Sequence, residues 1–299
     1  MSMRADHMKY CITHLTTYTY LEPVSMCYNL LRLVPRNTDR QLCAAVAVSI
    51  RPEPDTFYEY EDFLGNKMIY FSIEKEHAEL SVKVYSEIEQ RLTTTRAIGL
   101  YGNATVANVG RELMENGQEA AEVGQYIFAT PMTAWNPDIE AYARVSFTPG
   151  RPVLEAAGEL MRRIYTDFRF TPGFTTVATP LAVVMRERKG VCQDFAHLAI
   201  ACVRSVGLAA RYVSGYIETL PPAGAEKLIG VDASHAWFSV YVPHLGWVDF
   251  DPTNNVLPAE QHVTIGWGRD YADIAPMRGV LLSSGTHSLA VSVDMRRVR

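Results

Sequence analysis

The chain has 299 residues, of which 48% are hydrophobic and 20% charged, a composition that excludes a disordered or fibrous protein and allows a large core, expected in two domains. A formal charge of −5 and a pI near 5.9 provide no broad basic surface, so a nucleic-acid partner is not expected. The sequence has neither an apolar run of membrane-spanning length nor a secretory signal pattern, so we expect a cytoplasmic protein with no membrane partner.

Strand-like alternation dominates the sequence from Lys9 to about Arg91, in stretches such as YCITHLTTYTY, LCAAVAVSI, KMIYFSI and AELSVKVYSEI. The turn signals EPV, RPEPD and LGNK separate these stretches. Because helical periodicity is scarce there, we predict that residues 1–95 form a domain resembling an antiparallel β-sandwich.

Residues 96–299 are predicted to form a second, α+β domain. Apolar spacing predicts three helices: one starting just after Pro152, one from Pro180 to about Arg188, and one from Cys192 to about Val206. The strand-like runs AARYVSGYI, HAWFSVYVP, GWVDF and, near the C-terminus, HSLAVSVDM follow. This order predicts an antiparallel sheet packed on the cysteine-bearing helix, with a C-terminal strand in the same domain. Residues 100–149 could link the domains or cover the second core.

The five cysteines are widely spaced and odd in number, with no C-x-x-C pair: Cys11, Cys27, Cys43, Cys192 and Cys202. This pattern argues against a disulfide framework and against a zinc ribbon. We therefore expect free thiols, no metal and no cofactor. All of them except Cys192 are interpreted as packing residues.

Cys192 stands at a predicted helix start, in the stretch RKGVCQDFAHLA. It lies on the apolar helix face with Phe195 and Cys202, so its position alone also fits a packed core thiol. Catalysis requires a thiolate, and an ordinary cysteine with a pKa of roughly 8.5 is only a few per cent ionised at pH 7. A helix N-terminus supplies about 0.3 to 1 kcal/mol of the roughly 3 kcal/mol needed. An imidazolium partner would therefore be required.

A histidine and two carboxylates lie on two strands that are predicted to be neighbours. The strand period of two places His235 on one face with Trp237 and Ser239, and places Asp249 and Asp251 on one face of the next strand. The short connection PHLG predicts a hairpin. A carboxylate beside His235 would orient its imidazole and stabilise the charged form, but periodicity does not distinguish Asp249 from Asp251.

The stretches GVCQDFAHL, GLAARYVSGY and SHAWFSVYVPHLGWVDFDPTNN resemble the core of the bacterial transglutaminase-like proteins, relatives of the papain-like cysteine enzymes. The motifs G-V-C-x-D-x-A, H-A-W and W-x-x-x-D-P-T occur in the order of that family. TYTYLEPV and LLRLVPR are similar to its β-rich N-terminal domain, and GRDYADIAPMRG to a segment after its core. The resemblance implies a catalytic triad of Cys192 as nucleophile, His235 as base and Asp251 as orienting carboxylate, with Asp249 in reserve.

The implied reaction is attack of the Cys192 thiolate on an amide carbonyl of a peptide or protein substrate, which yields a thioester. The backbone N–H of Cys192 would donate to the oxyanion. Water would complete hydrolysis, as in a protease or amidase, whereas an amine would complete transamidation and cross-link proteins. We favour hydrolysis, because a cytoplasmic cross-linker would need tight control of its substrates.

Two further hypotheses stay open at this point. One is a catalytically silent binding module of the same fold. The other is a metal site made of Cys192, His235 and Asp251, although the short ligand spacings usual for zinc are missing.

Two polar residues of the predicted helix are given structural roles. Asp194 lies in the first turn, where a carboxylate can bond free backbone N–H groups. Its charge would work against a neighbouring thiolate unless Arg188 and Lys189 offset it. His197 follows three residues later and could pair with Asp194 on the helix surface.

Overall fold

A computed structural model of the protein describes residues 8–91, 103–115, 122–219, 233–282 and 285–298. The alternating N-terminal sequence forms six strands: β1 Lys9–Val24, β2 Met26–Leu31, β3 Gln41–Arg51, β4 Thr56–Glu61, β5 Lys67–Ile73 and β6 His77–Gln90. In β6 every second residue from Leu80 to Gln90 is buried, so one face of the strand points to the core.

Two further strands from the C-terminal part, β13 (Met277–Leu282) and β14 (His287–Val298), complete this half of the molecule. The strands form two four-stranded antiparallel sheets, in the orders β14-β1-β6-β3 and β13-β2-β5-β4. One core contains buried residues of both sheets, such as Phe71 and Val82. The predicted N-terminal antiparallel β-sandwich is therefore confirmed.

The position of the C-terminal strand differs from the prediction. We expected HSLAVSVDM to belong to the second domain, but β14 pairs along its length with β1, from Lys9 opposite Val298 to Tyr20 opposite His287. Val293 and Met295 of β14 are buried in the sandwich core. The order of strands along the chain does not reveal this pairing, because antiparallel partners can be far apart in sequence. The domain boundary at residue 95 stays a prediction.

Six α-helices lie within the described residues: α1 Val106–Glu115, α2 Pro137–Ser146, α3 Val153–Asp167, α4 Leu181–Glu187, α5 Cys192–Ser205 and α6 Tyr271–Ile274. The three helices predicted by apolar spacing correspond to α3, α4 and α5. Two short parallel strands, β7 Arg169–Phe170 and β8 Lys189–Gly190, flank α4. Within the segment 100–149, α1 and α2 contribute buried residues to the second core. None of the helices in the described residues combines the length and the apolar character that a membrane span needs.

The cysteine-bearing helix α5 packs on an antiparallel sheet, as predicted. The sheet has the order β11-β10-β9-β12 and consists of β9 Ala210–Ile217, β10 Ala233–Val242, β11 Gly246–Phe250 and β12 His262–Gly268. Ala199 and Cys202 of α5 and Phe238 of β10 are fully buried in one core. β10 and β11 form the predicted hairpin, with Phe238 opposite Phe250. This hairpin positions the candidate site at the start of β10.

The sandwich contacts the second sheet directly through β9 and β12. The His14 imidazole lies 2.9 Å from the hydroxyl of Tyr216, and the Gln90 side chain donates to the backbone carbonyl of His262 at 2.9 Å. Val263 and Ile265 of β12 belong to the sandwich core. Strand β12 therefore connects the two halves.

The pairing of β14 predicts that its inward residues stabilise the N-terminal sandwich. Val293→Ala removes two buried methyl groups and should lower the free energy of unfolding by about 2 kcal/mol. Val291, which is 51% exposed on the same strand, provides the matched control, and Val291→Ala should change stability by less than about 0.5 kcal/mol. Denaturant unfolding measures both values. Equal effects of the two substitutions would contradict the burial of β14 in this core.

Candidate active site

The start of α5 is fixed by the side chain of Asp194. Its Oδ2 accepts hydrogen bonds from the backbone N–H of Val191 at 2.8 Å and from the hydroxyl of Thr175 at 2.6 Å. A Cβ at Gly190 would lie only 2.8 Å from the same oxygen, so a glycine is needed there. Burial raises the pKa of Asp194 against the lowering effect of these two bonds. Asp194 thus has the structural role predicted for it.

The two cations before the cysteine contact aromatic rings. The guanidinium of Arg188 lies 4.7 Å from the centre of the Phe168 ring, and the ammonium of Lys189 lies 5.6 Å from the Phe174 ring. Arg188 also ends α4 in the left-handed conformation, with φ of 53°. The chain therefore uses these residues to turn and pack before α5.

The prediction that His197 pairs with Asp194 on the helix surface is wrong. His197 is buried, and its Nε2 accepts a hydrogen bond from the backbone N–H of Tyr271 at 3.1 Å. Burial, with a smaller contribution from Arg204, lowers the pKa of His197 to about 3. A neutral ring suits this acceptor role, so His197 joins α5 to α6.

His235 lies near the start of β10 and interacts with both other members of the predicted triad. Its Nε2 lies 2.8 Å from Oδ2 of Asp251, and the Cys192 side chain acts electrostatically on its ring. Burial lowers the pKa of His235, but the interactions with Asp251 and Cys192 outweigh burial and raise the pKa to about 9. The imidazole therefore carries a positive charge at neutral pH.

Asp251 directly follows β11, and both of its carboxylate oxygens are saturated with donors. Oδ1 accepts from the backbone N–H groups of Thr253 and Asn254, at 2.9 and 3.2 Å. Oδ2 accepts from His235, from Nε2 of His262 at 3.0 Å and from the Asn254 side chain at 2.7 Å. Burial alone would raise the pKa of Asp251, but the bonds from His235 and His262 hold it far below the usual range. The carboxylate is thus ionised and fixed in place.

Asp249, the reserve in the sequence analysis, lies in a different environment. It accepts a short hydrogen bond from the hydroxyl of Ser239, the residue opposite it in the hairpin. Its other oxygen lies 4.0 Å from the guanidinium of Arg40. The geometry brings Asp251 to His235 and leaves Asp249 to a neighbouring cleft.

Asn254 and His262 bond to Asp251 but were not predicted from the sequence. Asn254 belongs to the quoted DPTNN stretch, and a turn whose backbone amides bond to an aspartate two or three residues earlier is a typical signal that could have identified it. His262 lies on β12, which pairs with β9 and does not contact β10 as a neighbouring strand. Only the three-dimensional arrangement brings its Nε2 to Asp251.

The hydrogen bonds assign the protons of the site. Because Nε2 of His235 donates to Asp251, the ring nitrogen left for the Cys192 sulfur is Nδ1. Cys192 is partly exposed. A thiol of this kind, next to a charged imidazole and at a helix start, can act as a nucleophile, with the imidazole returning the proton.

One group of ligand atoms in the site could hold a metal ion. Atoms of His235, Asp251 and His262 lie within 4.8 Å of one another. The Nε2–H groups of both imidazoles donate hydrogen bonds to the same Asp251 oxygen, so a metal ion would have to displace both of these protons. The set differs from the Cys192, His235 and Asp251 set of the sequence hypothesis, and the proton network fits the residues better.

Two regions of the chain match described protein families. Residues 10–89 match the bacterial transglutaminase-like N-terminal region, and residues 141–252 match the transglutaminase-like superfamily. An uncharacterized protein of Mycobacterium tuberculosis is 37% identical over 292 residues, which cover 96% of this chain and 92% of that protein. The chain belongs to the bacterial transglutaminase-like family. The predicted resemblance is confirmed.

Two further proteins are similar to this chain over different shares of its length. The crystal structure of a candidate cysteine protease from Cytophaga hutchinsonii has a TM-score of 0.77 and 21% identity, covering 99% of this chain and 92% of that one. This likeness confirms the α+β fold with a papain-like core. A protein-glutamine gamma-glutamyltransferase of Pseudomonas aeruginosa is 38% identical over 72 residues, 24% of this chain and 11% of that protein.

The contact with Asp251 predicts a large change in the titration of His235. Asp251→Asn removes the charge that opposes desolvation, so the pKa of His235 should fall from about 9 to roughly 7 or below. NMR titration of the imidazole ring protons measures this change. In the wild type, the stabilisation from the imidazolium is complete below the ordinary pKa of 6.5 and is lost as the pH rises through about 9.

Asp249→Asn provides the matched control for this titration. Asp249 lies on β11, and its carboxylate accepts a hydrogen bond from Ser239 and not from His235. Its removal should leave the pKa of the His235 imidazole unchanged. An unaltered titration in Asp251→Asn would contradict the electrostatic role given to Asp251.

Proposed function

We propose that the protein is a cysteine-nucleophile enzyme that hydrolyses peptide or isopeptide amide bonds through a thioester. Cys192 is the nucleophile, His235 the general base and acid, and Asp251 the carboxylate that orients the imidazole. The observation that carries the proposal is the position of His235, whose ring bonds to an ionised buried carboxylate and interacts electrostatically with a partly exposed thiol. Membership in the transglutaminase-like superfamily supports it.

The reaction begins with the Cys192 thiolate beside the His235 imidazolium. The sulfur adds to the amide carbonyl carbon, and the electron pair of the C=O bond moves to the oxygen. The backbone N–H of Cys192, at the start of α5, donates to this oxyanion. The oxyanion then collapses, the C–N bond breaks, and Nδ1 of His235 gives its proton to the departing amine. A thioester on Cys192 and a neutral His235 remain.

Water completes the cycle. Nδ1 of His235 takes one proton from a water molecule, whose oxygen adds to the thioester carbonyl. The C–S bond breaks, the carboxylic acid leaves, and the thiolate and imidazolium are restored. Asp251 keeps its charge throughout, because its five donors hold its carboxylate ionised.

The second candidate function is transamidation, in which an amine replaces water. The local similarity to a protein-glutamine gamma-glutamyltransferase favours it. The same Cys192, His235 and Asp251 would serve, and ammonia would leave from a glutamine side chain in the first step. We place hydrolysis first because we propose a cytoplasmic location, where a cross-linker would need tight substrate control.

The nucleophile assignment predicts selective alkylation of Cys192. At pH 7 iodoacetamide should modify Cys192 about ten-fold or more faster than Cys11 and Cys43, because a paired imidazolium favours the reactive thiolate. Cys11 and Cys43 are partly exposed as well, and Cys11 is the better matched comparison because burial raises the pKa of Cys43. Burial raises the pKa of Cys202 to about 12, so that thiol is a poor comparison. Peptide mapping by mass spectrometry measures all the rates.

His235→Ala is the decisive variant in this assay. It should bring the rate at Cys192 down to that of the comparison thiols while the fold, followed by circular dichroism, is kept. Equal slow labelling of the three thiols in the wild type would favour the silent binding module over the enzyme.

The chemistry itself predicts an acyl adduct. Incubation with a peptide library that includes glutamine peptides should add acyl masses to the wild-type protein, and Cys192→Ala should carry none. In water enriched in oxygen-18, hydrolysis places one heavy oxygen in the released acid. If products that carry the amine form when a primary amine is present, the function is transamidation and not hydrolysis. Absence of both adduct and product across the library would overturn the enzymatic proposal.

A further inference from the structure

A cleft of about 770 Å³ lies between the sandwich and the second sheet. Asn37 to Gln41 line it on the sandwich side, and Arg211, Trp237 and His262 line it on the side of the second sheet. Cys192 and His235 are not among its lining residues. Its size is that of a small-molecule site, and the proposed reaction does not use it.

The most unusual group in this cleft is the side chain of Arg211. It is only 8% exposed, and its guanidinium carbon lies 4.4 Å from the ring centre of Trp247 and 3.7 Å from that of Trp267. Among the described residues no carboxylate lies within 4.0 Å of it, and its buried Nε has no hydrogen-bond partner. Burial of a cation without a counter-ion is costly, so this arrangement needs an explanation.

A second arginine adds positive charge at the same place. The guanidinium carbon of Arg36 lies 3.3 Å from the ring centre of Trp267. Its hydrogen bonds go to neutral acceptors, the backbone carbonyl of Leu64 and the side-chain oxygen of Asn66. Burial lowers the pKa of Arg211 to about 10, and Arg36 contributes to the lowering. The guanidinium groups of Arg36 and Arg211 thus both lie against the Trp267 ring. Among the described residues, neither group forms an ion pair.

The described acidic residues that line the cleft do not contact the guanidinium of Arg211. Asp249 is bonded to Ser239 and lies 4.0 Å from Arg40, although its charge acts on Arg211 from a distance. Asp39 and Glu122 are exposed. Trp237 contributes another unsatisfied donor, since its buried Nε1 has no partner among the described residues.

We propose that this cleft binds a small anionic ligand, with Arg211 as its charged contact. The ligand carries a carboxylate or a phosphate group, because the flat fork of a guanidinium pairs two of its N–H groups with two oxygens of such a group. The indole rings of Trp247 and Trp267 hold the fork in place and provide apolar walls for the rest of the ligand. The ligand would lie one side chain away from the triad, because His262 lines the cleft and donates to Asp251.

The indole N–H signals of the protein provide a direct test. The chain has four tryptophans, and two of them contact Arg211. Sodium phosphate and succinate are the probes, with succinamide as the neutral comparison. In ¹H–¹⁵N spectra one or both anions should shift the signals of Trp247 and Trp267 in a saturable way, while Trp135, which does not line the cleft, stays constant. The tighter of the two anions identifies the group that the site prefers.

Two arginine variants locate the binding. Arg211→Met keeps an apolar stem between the rings and should weaken binding by about ten-fold or more. Arg40→Met removes the same charge from an exposed residue of the cleft and should weaken it by less than about two-fold. If Arg211→Met fails to fold, Arg211→Lys keeps the charge without the fork and should still bind more weakly than the wild type.

The outcomes that would overturn the proposal are distinct. Loss of affinity in Arg40→Met equal to that in Arg211→Met or Arg211→Lys would mean general charge attraction without a site. Saturable shifts by succinamide, or constant Trp247 and Trp267 signals with both anions, would overturn it as well.

Discussion

The buried carboxylate of Asp251 is the group on which the candidate site depends. Two backbone amides hold one of its oxygens, and two imidazoles and a side-chain amide hold the other. A carboxylate removed from water in this way stays ionised only because its donors replace the lost hydration. The charge then keeps His235 protonated against its own burial. The charged imidazole in turn interacts with the Cys192 side chain, so the acid determines the electrostatic environment of the sulfur through His235.

Much of this arrangement could be predicted from the sequence. The helix from Cys192 has apolar positions at helical spacing, and β10 and β11 alternate and are joined by a short turn, so local patterns determine the helix and the hairpin. Once the hairpin is formed, His235 and Asp251 have to lie near each other. The choice of Asp251 over Asp249 came from the D-P-T motif, and the hydrogen bonds agree with it: Asp251 bonds to His235, and Asp249 to Ser239.

Other features depend on contacts between distant parts of the chain, and no local pattern encodes them. His262 of β12 donates a hydrogen bond to Asp251, and Arg211 of β9 packs on Trp267 of the neighbouring strand β12. The helix surface rule places His197 on the surface, but His197 packs against Tyr212 of β9, with ring centres 5.0 Å apart, and is buried. The pairing of β14 with β1 is of the same kind, since strand alternation says which face of a strand is buried and not which strand lies beside it.

The pairing of β1 with β14 also has a consequence for biosynthesis. During translation β1 leaves the ribosome before the whole cysteine-bearing core has been made, whereas its edge partner emerges after that core. One side of β1 therefore keeps its backbone N–H and C=O groups unpaired while the core residues are added. The nascent sandwich can become complete only after the helices and sheet of the core have been synthesised, which reverses the usual order in which the N-terminal unit of a chain matures first.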